Sequence, residues 1–385
     1  GGVLNANGVF TAIGSTISNN SSNRAGGGIE QNQVSTTNLT NVTMDGNITG
    51  AVTGAGAPGN GGALHVSQAG TVNITDGSYT QNIAANEGGG LWNGSGSMNI
   101  MGSAVINNNT ASGEASMGAM NPGEAGGGGI YNEGGAIVIT GTVSINNNNA
   151  TGSTSTGGGV LVAGGSFDAT GSTITGNGAN RAGGGIEANG NAPVTLTNVN
   201  LSNNTAGVTT GPGAPGNGGG LHISGSSTVN VTGGTVNNNI AMSEGGGLWN
   251  GTGTMTVDGV TMDGNTASGP TASEGGGAIY SLNGGTVSIL NGSILTNNIA
   301  NGASGSGGAV LVDADASISI DGSTLNSNIA NRAGGAIEIV AGSGTASLNN
   351  VTMNMNNAGV SPAVAAPGNG GALHISGNQD IVITN

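Results

Sequence analysis

Short runs of alternating polar and apolar residues recur along the whole chain. Ser97-Met98-Asn99-Ile100 is one, and Val72/Ile74, Val229/Val231, Met255/Val257, Val287/Ile289 and Ile318/Ile320 fill the apolar slots of others. A period of two marks a strand with one buried face, so these side chains are predicted to point inward. Segments with the helical period are missing throughout. Two tetrapeptides punctuate the strands. Gly-Gly-(Gly/Ala)-aliphatic ends at Ile29, Leu64, Leu91, Ile130, Val160, Ile186, Leu221, Leu248, Ile279, Val310, Ile337 and Leu373, with a truncated Gly1-Gly2-Val3 at the start. Apolar-x-x-Asn ends at Asn20, Asn47, Asn82, Asn109, Asn148, Asn177, Asn204, Asn239, Asn265, Asn298, Asn328 and Asn356.

One copy of each per 26 to 39 residues describes a solenoid with a coil of about 30 residues. Three short strands per coil, no helix and that period predict an all-β parallel β-helix of about 13 coils. The glycines permit tight corners and positive φ where a Cβ would clash. At a turn, asparagine tolerates the left-handed conformation, and its amide can donate and accept between rungs as a ladder. Both sets are structural by default.

A longer period lies above the coil. Asn23 to Glu30 returns as Asn180 to Glu187 and Asn331 to Glu338, and Glu87 to Asn93 returns as Glu244 to Asn250. Every Arg, every His and both Trp occupy equivalent slots in a five-coil unit, which divides the chain near 1–157, 158–308 and an incomplete 309–385. The chain starts inside one coil and stops inside another, so it reads as one β-helix cut from a longer protein.

Composition narrows the function classes. Lysine is absent, Arg24, Arg181 and Arg332 are the cations, and the net charge is −15. A nucleic-acid partner needs a basic track, so that class is excluded, and insertion of this segment into a membrane is not expected. Without cysteine there is no disulfide or thiolate metal site. Gly and Pro are frequent, yet aliphatic residues recur with a fixed period, which argues against disorder.

Candidate chemistry is thin. Five rungs separate His65, His222 and His374, too far apart to share an ion, so no metal or cofactor is expected. Asp313-Ala314-Asp315 offers at most weak surface calcium binding, because no calcium loop continues from it. Asp258/Asp263 and Asp313/Asp315 come nearest to the paired carboxylates of a glycosidase, but both read as strand-edge or turn residues. Arg24/Glu30, Arg181/Glu187 and Arg332/Glu338 each span a glycine corner and could pair, with a glycan-contacting guanidinium as the functional alternative. Trp92 and Trp249 follow inward leucines, so alternation turns them outward. They are either a stacking platform for sugar or protein, or a side chain packed under a neighbouring loop. The long connections, Gly50 to Asn60, Gly207 to Asn217, Gly359 to Asn369 and Ser112 to Ala125 with Met117 and Met120, gather at one corner, where solenoids commonly bind.

Gly61-Gly62-Ala63-Leu64, Gly334-Gly335-Ala336-Ile337 and Met262-Asp263-Gly264-Asn265 resemble the Gly-Gly-Ala-(Ile/Leu/Val) and Phe-x-x-Asn repeats of the chlamydial polymorphic outer membrane proteins and related autotransporter-adhesin passengers. The resemblance spans the chain, though Ile, Leu, Met, Val or Tyr stand in place of Phe. It implies a right-handed parallel β-helix at the bacterial cell surface, serving as a non-catalytic adhesin rod or stalk. Partners would then be host or neighbour glycans or proteins. An alternative is a filament or sheath subunit that self-associates end to end. A polysaccharide-degrading enzyme is the remaining alternative.

Overall fold

The computed structural model describes residues 1–50, 58–114, 125–209, 215–340, 342, 344–359, 368–377 and 380–385. Its 49 strands fall into four all-parallel sheets of 11 to 13 strands, and no helix occurs among the described residues. The parallel β-helix expected from the repeats is therefore the fold. The coils between Ile29 and Ala358 carry four strands each rather than three. In a sample coil they are Leu91–Asn93, Ser97–Gly102, Val105–Asn107 and Thr110–Ala111. The fourth, directly after the asparagine, has two residues and so shows no alternation in sequence.

The chain divides into two compact units, residues 1–194 with 209–214, and 195–208 with 215–385. In the first unit, register is set by like-on-like stacking: Leu91 pairs with Leu64 and Ile130, and Ile100 with Ile74 and Ile139. The second unit repeats this with Leu248 against Leu221 and Ile279, and Val257 against Val231 and Ile289. All the residues predicted to point inward are buried, Val72, Ile74, Val229, Val287, Ile289 and Ile320 completely. A slip of one residue would turn each such set outward, which locks the register.

The two tetrapeptides close the corners by different means. The first glycine of each set has φ near +60°, as at Gly88 (64°) and Gly245 (64°). The second has no room at all: a Cβ on Gly89 would strike the carbonyl oxygen of Gly128 on the next rung and the backbone of Thr110. The third position tolerates alanine, and Ala63, Ala278, Ala309 and Ala336 are fully buried there.

At the asparagine corner the structure corrects one expectation. The left-handed residue is the one before the ladder asparagine, such as Asn108 (φ 55°), Gly176 (68°) or Met355 (52°). The asparagine itself is kept for hydrogen bonding. Asn109 Oδ1 accepts from both the backbone N–H and Nδ2 of Asn82, at 2.9 Å each. Asn109 Nδ2 donates to Tyr79 O and to Asn148 Oδ1, both at 2.9 Å. The same pattern links Asn20, Asn47, Asn82, Asn109, Asn148 and Asn177 in the first unit, with Nδ2 to Oδ1 distances of 2.9 to 3.1 Å. In the second it links Asn204, Asn239, Asn265, Asn298, Asn328 and Asn356 at 2.9 to 3.0 Å. A buried amide with every donor and acceptor engaged stabilises by about 1 kcal/mol per bond.

Candidate functional site

The residue after each glycine-corner aliphatic turns away from the core, and parallel pairing sets these residues in one row. In the first unit the row reads Leu4, Glu30, His65, Trp92, Tyr131, Leu161, Glu187. In the second it reads His222, Trp249, Tyr280, Leu311, Glu338, His374. Glu, His, Trp, Tyr and Leu thus recur in fixed order, one per coil. All three histidines, both tryptophans and two of the three tyrosines of the chain stand in this row.

Although it faces away from the core, the row is buried except at its ends, Leu4 and His374. Trp92 is 6% exposed, Trp249 9%, Tyr131 3% and Tyr280 2%. Each indole lies flat between its neighbours: His65 stacks on Trp92 at 4.1 Å and Trp92 on Tyr131 at 5.8 Å, while His222 stacks on Trp249 at 4.1 Å and Trp249 on Tyr280 at 6.1 Å. Leu161 and Leu311 complete the two clusters, joined by Ala163 in one and by Leu282 and Val340 in the other. The indole N–H donates to Glu87 in one unit (3.1 Å) and Glu244 in the other (2.8 Å). Asn60 and Asn217, which end the Pro-Gly-Asn turns, donate to the same carboxylates at 3.1 and 3.3 Å. Neighbouring rungs, rather than the loop the sequence offered as one alternative, hide the ring faces of both tryptophans.

A Glu/His/Ser group lies below Trp92, and an equivalent group stands at Glu338 and His374, beyond Leu311 in the row. Ser67 Oγ donates to Glu30 Oε1 at 2.7 Å and lies 3.2 Å from His65 Nδ1, which is 3.5 Å from the same carboxylate. In the second unit Ser376 donates to Glu338 at 2.7 Å, and His374 Nδ1 meets Glu338 Oε2 at 2.8 Å. Ser224 stands 3.1 Å from His222 Nδ1 in the same way. Hydroxyl and carboxylate address one imidazole nitrogen. A Ser-His-acid relay needs the carboxylate on Nδ1 and the hydroxyl on Nε2, so this geometry does not form one. The His-x-Ser spacing was visible in the sequence. The glutamate partner, 35 or 36 residues away, emerges once the register is known.

Electrostatics separate the repeats. Burial pushes the Glu30 carboxyl up, but the hydrogen bond and charge of His65, then Ser67 and Arg24, bring it below its ordinary value overall. For Glu338 burial wins and its carboxyl is raised despite Ser376, His374 and Arg332. Burial pushes Glu244 up to about 7 against the Trp249 hydrogen bond, with the nearby charges of Glu274 and Asp313 adding to the rise and the Tyr280 hydrogen bond opposing it.

The remaining candidates fall elsewhere. Arg332 reaches Glu338 Oε1 at 3.7 Å and Ser306 Oγ at 3.2 Å, so its corner pair forms. Arg24 is exposed and Arg181 half-buried. Met117, Met120 and the interiors of the long corner connections lie outside the described residues. Asp258 and Asp263 accept from Asn291 and Asn297 at 2.8 Å, and Asp313 accepts from Tyr280 at 3.1 Å, so these carboxylates are spent on neighbouring rungs. Asp315 occupies a left-handed turn position (φ 60°). Among the described residues, no three His, Asp or Glu side chains gather as a metal ligand set. No protein-family model matches the chain, and no curated protein or solved structure matches it.

Proposed function

We propose that this chain is a non-catalytic stalk segment of a bacterial surface protein. The observation that carries this reading is the use of the outward row: Glu, His, Trp and Tyr serve as partners of one another between rungs. Side chains that an enzyme would turn toward substrate here clad a sheet. Extension to the bacterial surface rests on the repeat resemblance and on an acidic, lysine-free composition. The test sets catalysis against mechanics. The purified chain is incubated with a panel of neutral and acidic polysaccharides and assayed for reducing and unsaturated ends, and is then unfolded by single-molecule pulling. The expected outcome is no product above a heat-unfolded control and resistance that yields coil by coil. Product release by the folded chain overturns the proposal.

A further inference from the structure

In the second unit the segments leading into the glycine corner shorten over three successive coils, from 268–278 to 301–309 to 331–336. The longest and the shortest both line a cleft of about 380 Å³: Thr271, Ala272 and Ser273 come from one and Arg332 from the other. Glu338, within the strand Ile337–Ile339, and Val340 and Ser376, each just after a strand, complete the lining. The volume lies at the low end of the ~300–1,000 Å³ of small-molecule sites. The polar groups of the cleft are held in place by the protein itself. The Glu338 side chain is fully buried; its Oε1 accepts from Ser376 Oγ at 2.7 Å and stands 3.7 Å from Arg332 Nη1. Ser306 Oγ, on the intervening coil, accepts from the same Nη1 at 3.2 Å. Among the described residues the guanidinium makes these contacts through Nη1, and its side chain is 25% exposed, so the N–H groups of Nε and Nη2 are left over. Glu274 Oε2 accepts from the Thr271 N–H at 2.7 Å, and the Thr271 and Ser273 hydroxyls stand 3.4 Å apart.

We propose that this cleft binds a neutral sugar unit of a glycan. The fixed, planar guanidinium of Arg332 donates to adjacent ring hydroxyls. Thr271, Ser273 and Ser376 supply hydroxyls that both donate and accept, as a sugar's own hydroxyls require. Ala272 and Val340 give the C–H surface of the ring its apolar contact, and Val340 is itself packed on the Leu311 cluster. Charge selects a neutral sugar over an acidic one. Arg332 is the one arginine of the second unit, and Glu338 already answers its charge. A ligand carboxylate would find that cation neutralised, with Glu274 bonded to the cleft's own Thr271, in a chain of net charge −15. Such a site makes a stalk adhesive in its own right.

Saturation-transfer NMR on the full chain tests this with glucose, galactose, mannose and N-acetylglucosamine, each free and as its methyl glycoside, and with glucuronate and N-acetylneuraminate as acidic probes. The expected result is transfer to at least one neutral sugar in both forms, with a dissociation constant of ~1–10 mM, and affinity for the acidic probes about tenfold weaker or absent. Arg332→Met and Ala272→Phe, the second filling the cleft from a segment outside the strands, should each weaken binding about tenfold or more. Far-UV circular dichroism checks that each variant is folded, and where Arg332→Met is not, Ala272→Phe decides alone. No transfer to any neutral sugar overturns the proposal. So does binding confined to the free reducing sugar, acidic probes that bind as well as neutral ones, or binding that the folded variants leave unchanged.

Discussion

The two units share a frame and differ in what is built on it. Trp92 and Trp249 have the same rung neighbours, the same 4.1 Å histidine stack and the same glutamate five residues upstream. Positions 125 and 163 of the first unit are alanines, where the second has Glu274 and Asp313. Backbone geometry therefore fixes the row, and its electrostatic character is set by residues just outside the repeat motifs. What the units hold in common should respond alike to substitution, and what separates them should respond with opposite sign.

The largest common effect is expected at the ladders. Asn109→Ala and Asn265→Ala each strand two buried donors on the preceding rung, Asn82 in one unit and Asn239 in the other. The cost is about 3–5 kcal/mol in either unit, read from the shift in urea midpoint. A difference above about 1 kcal/mol between the two would break the equivalence. Next come the glycine corners. Gly89→Ala drives a methyl group into the Gly128 carbonyl and should cost about 3 kcal/mol or more. Gly90→Ala, at the position where Ala278 and Ala309 already occur, brings its methyl 2.7 Å from the Gly129 carbonyl oxygen against 2.3 Å at Gly89, and should cost less than Gly89→Ala.

The pH responses should diverge. The Glu30 carboxyl is lower in the folded chain than its ordinary 4.5, so its contribution is present above that value and lost as pH falls through the folded pKa. Glu244 is raised, so its contribution is complete below 4.5 and lost as pH rises toward about 7. Hydrogen exchange resolved by unit should find the Glu30 region weakening in acid and the Glu244 region weakening between about pH 5 and 7. The smallest effect is local to the first unit. Its asparagine motif places Tyr79 where the second has Val236, and the Tyr79 hydroxyl is buried with no partner and raised far above the usual phenol value by burial. Tyr79→Phe should stabilise by about 1 kcal/mol in the same denaturation assay, and a loss of stability would reveal a bond to that hydroxyl.

The sequence made the coil legible because both tetrapeptides mark corners and the long strands alternate cleanly, as in Ser97-Met98-Asn99-Ile100. The fourth strand escaped because two residues such as Thr110–Ala111 have no period. The left-handed residue was displaced by one because Asn108 and Asn109 are both asparagines, and only hydrogen bonding tells them apart. Alternation correctly turned Trp92 out of the core. Whether outward means wet depends on residues 27 and 39 positions away, His65 and Tyr131, that become neighbours through register. The pairing of Glu30 with His65 was hidden for the same reason, since the sequence suggested Arg24 as the nearer partner.

The ladders carry a direction. In each unit the side-chain bonds of the column run one way: Nδ2 donates to the Oδ1 of the higher-numbered rung, and its second hydrogen goes to a backbone carbonyl of the rung below. Each coil therefore offers an identical socket below and an identical plug above, whatever lies between. Successive ladder residues are separated by as few as 26 and as many as 39 positions, and the joint stays at 2.9 to 3.0 Å. Coils joined in this way are interchangeable parts: one can be lengthened, decorated or swapped for another without retooling its neighbours. A single aspartate in the column, unable when ionised to supply the plug, would end the run at that point.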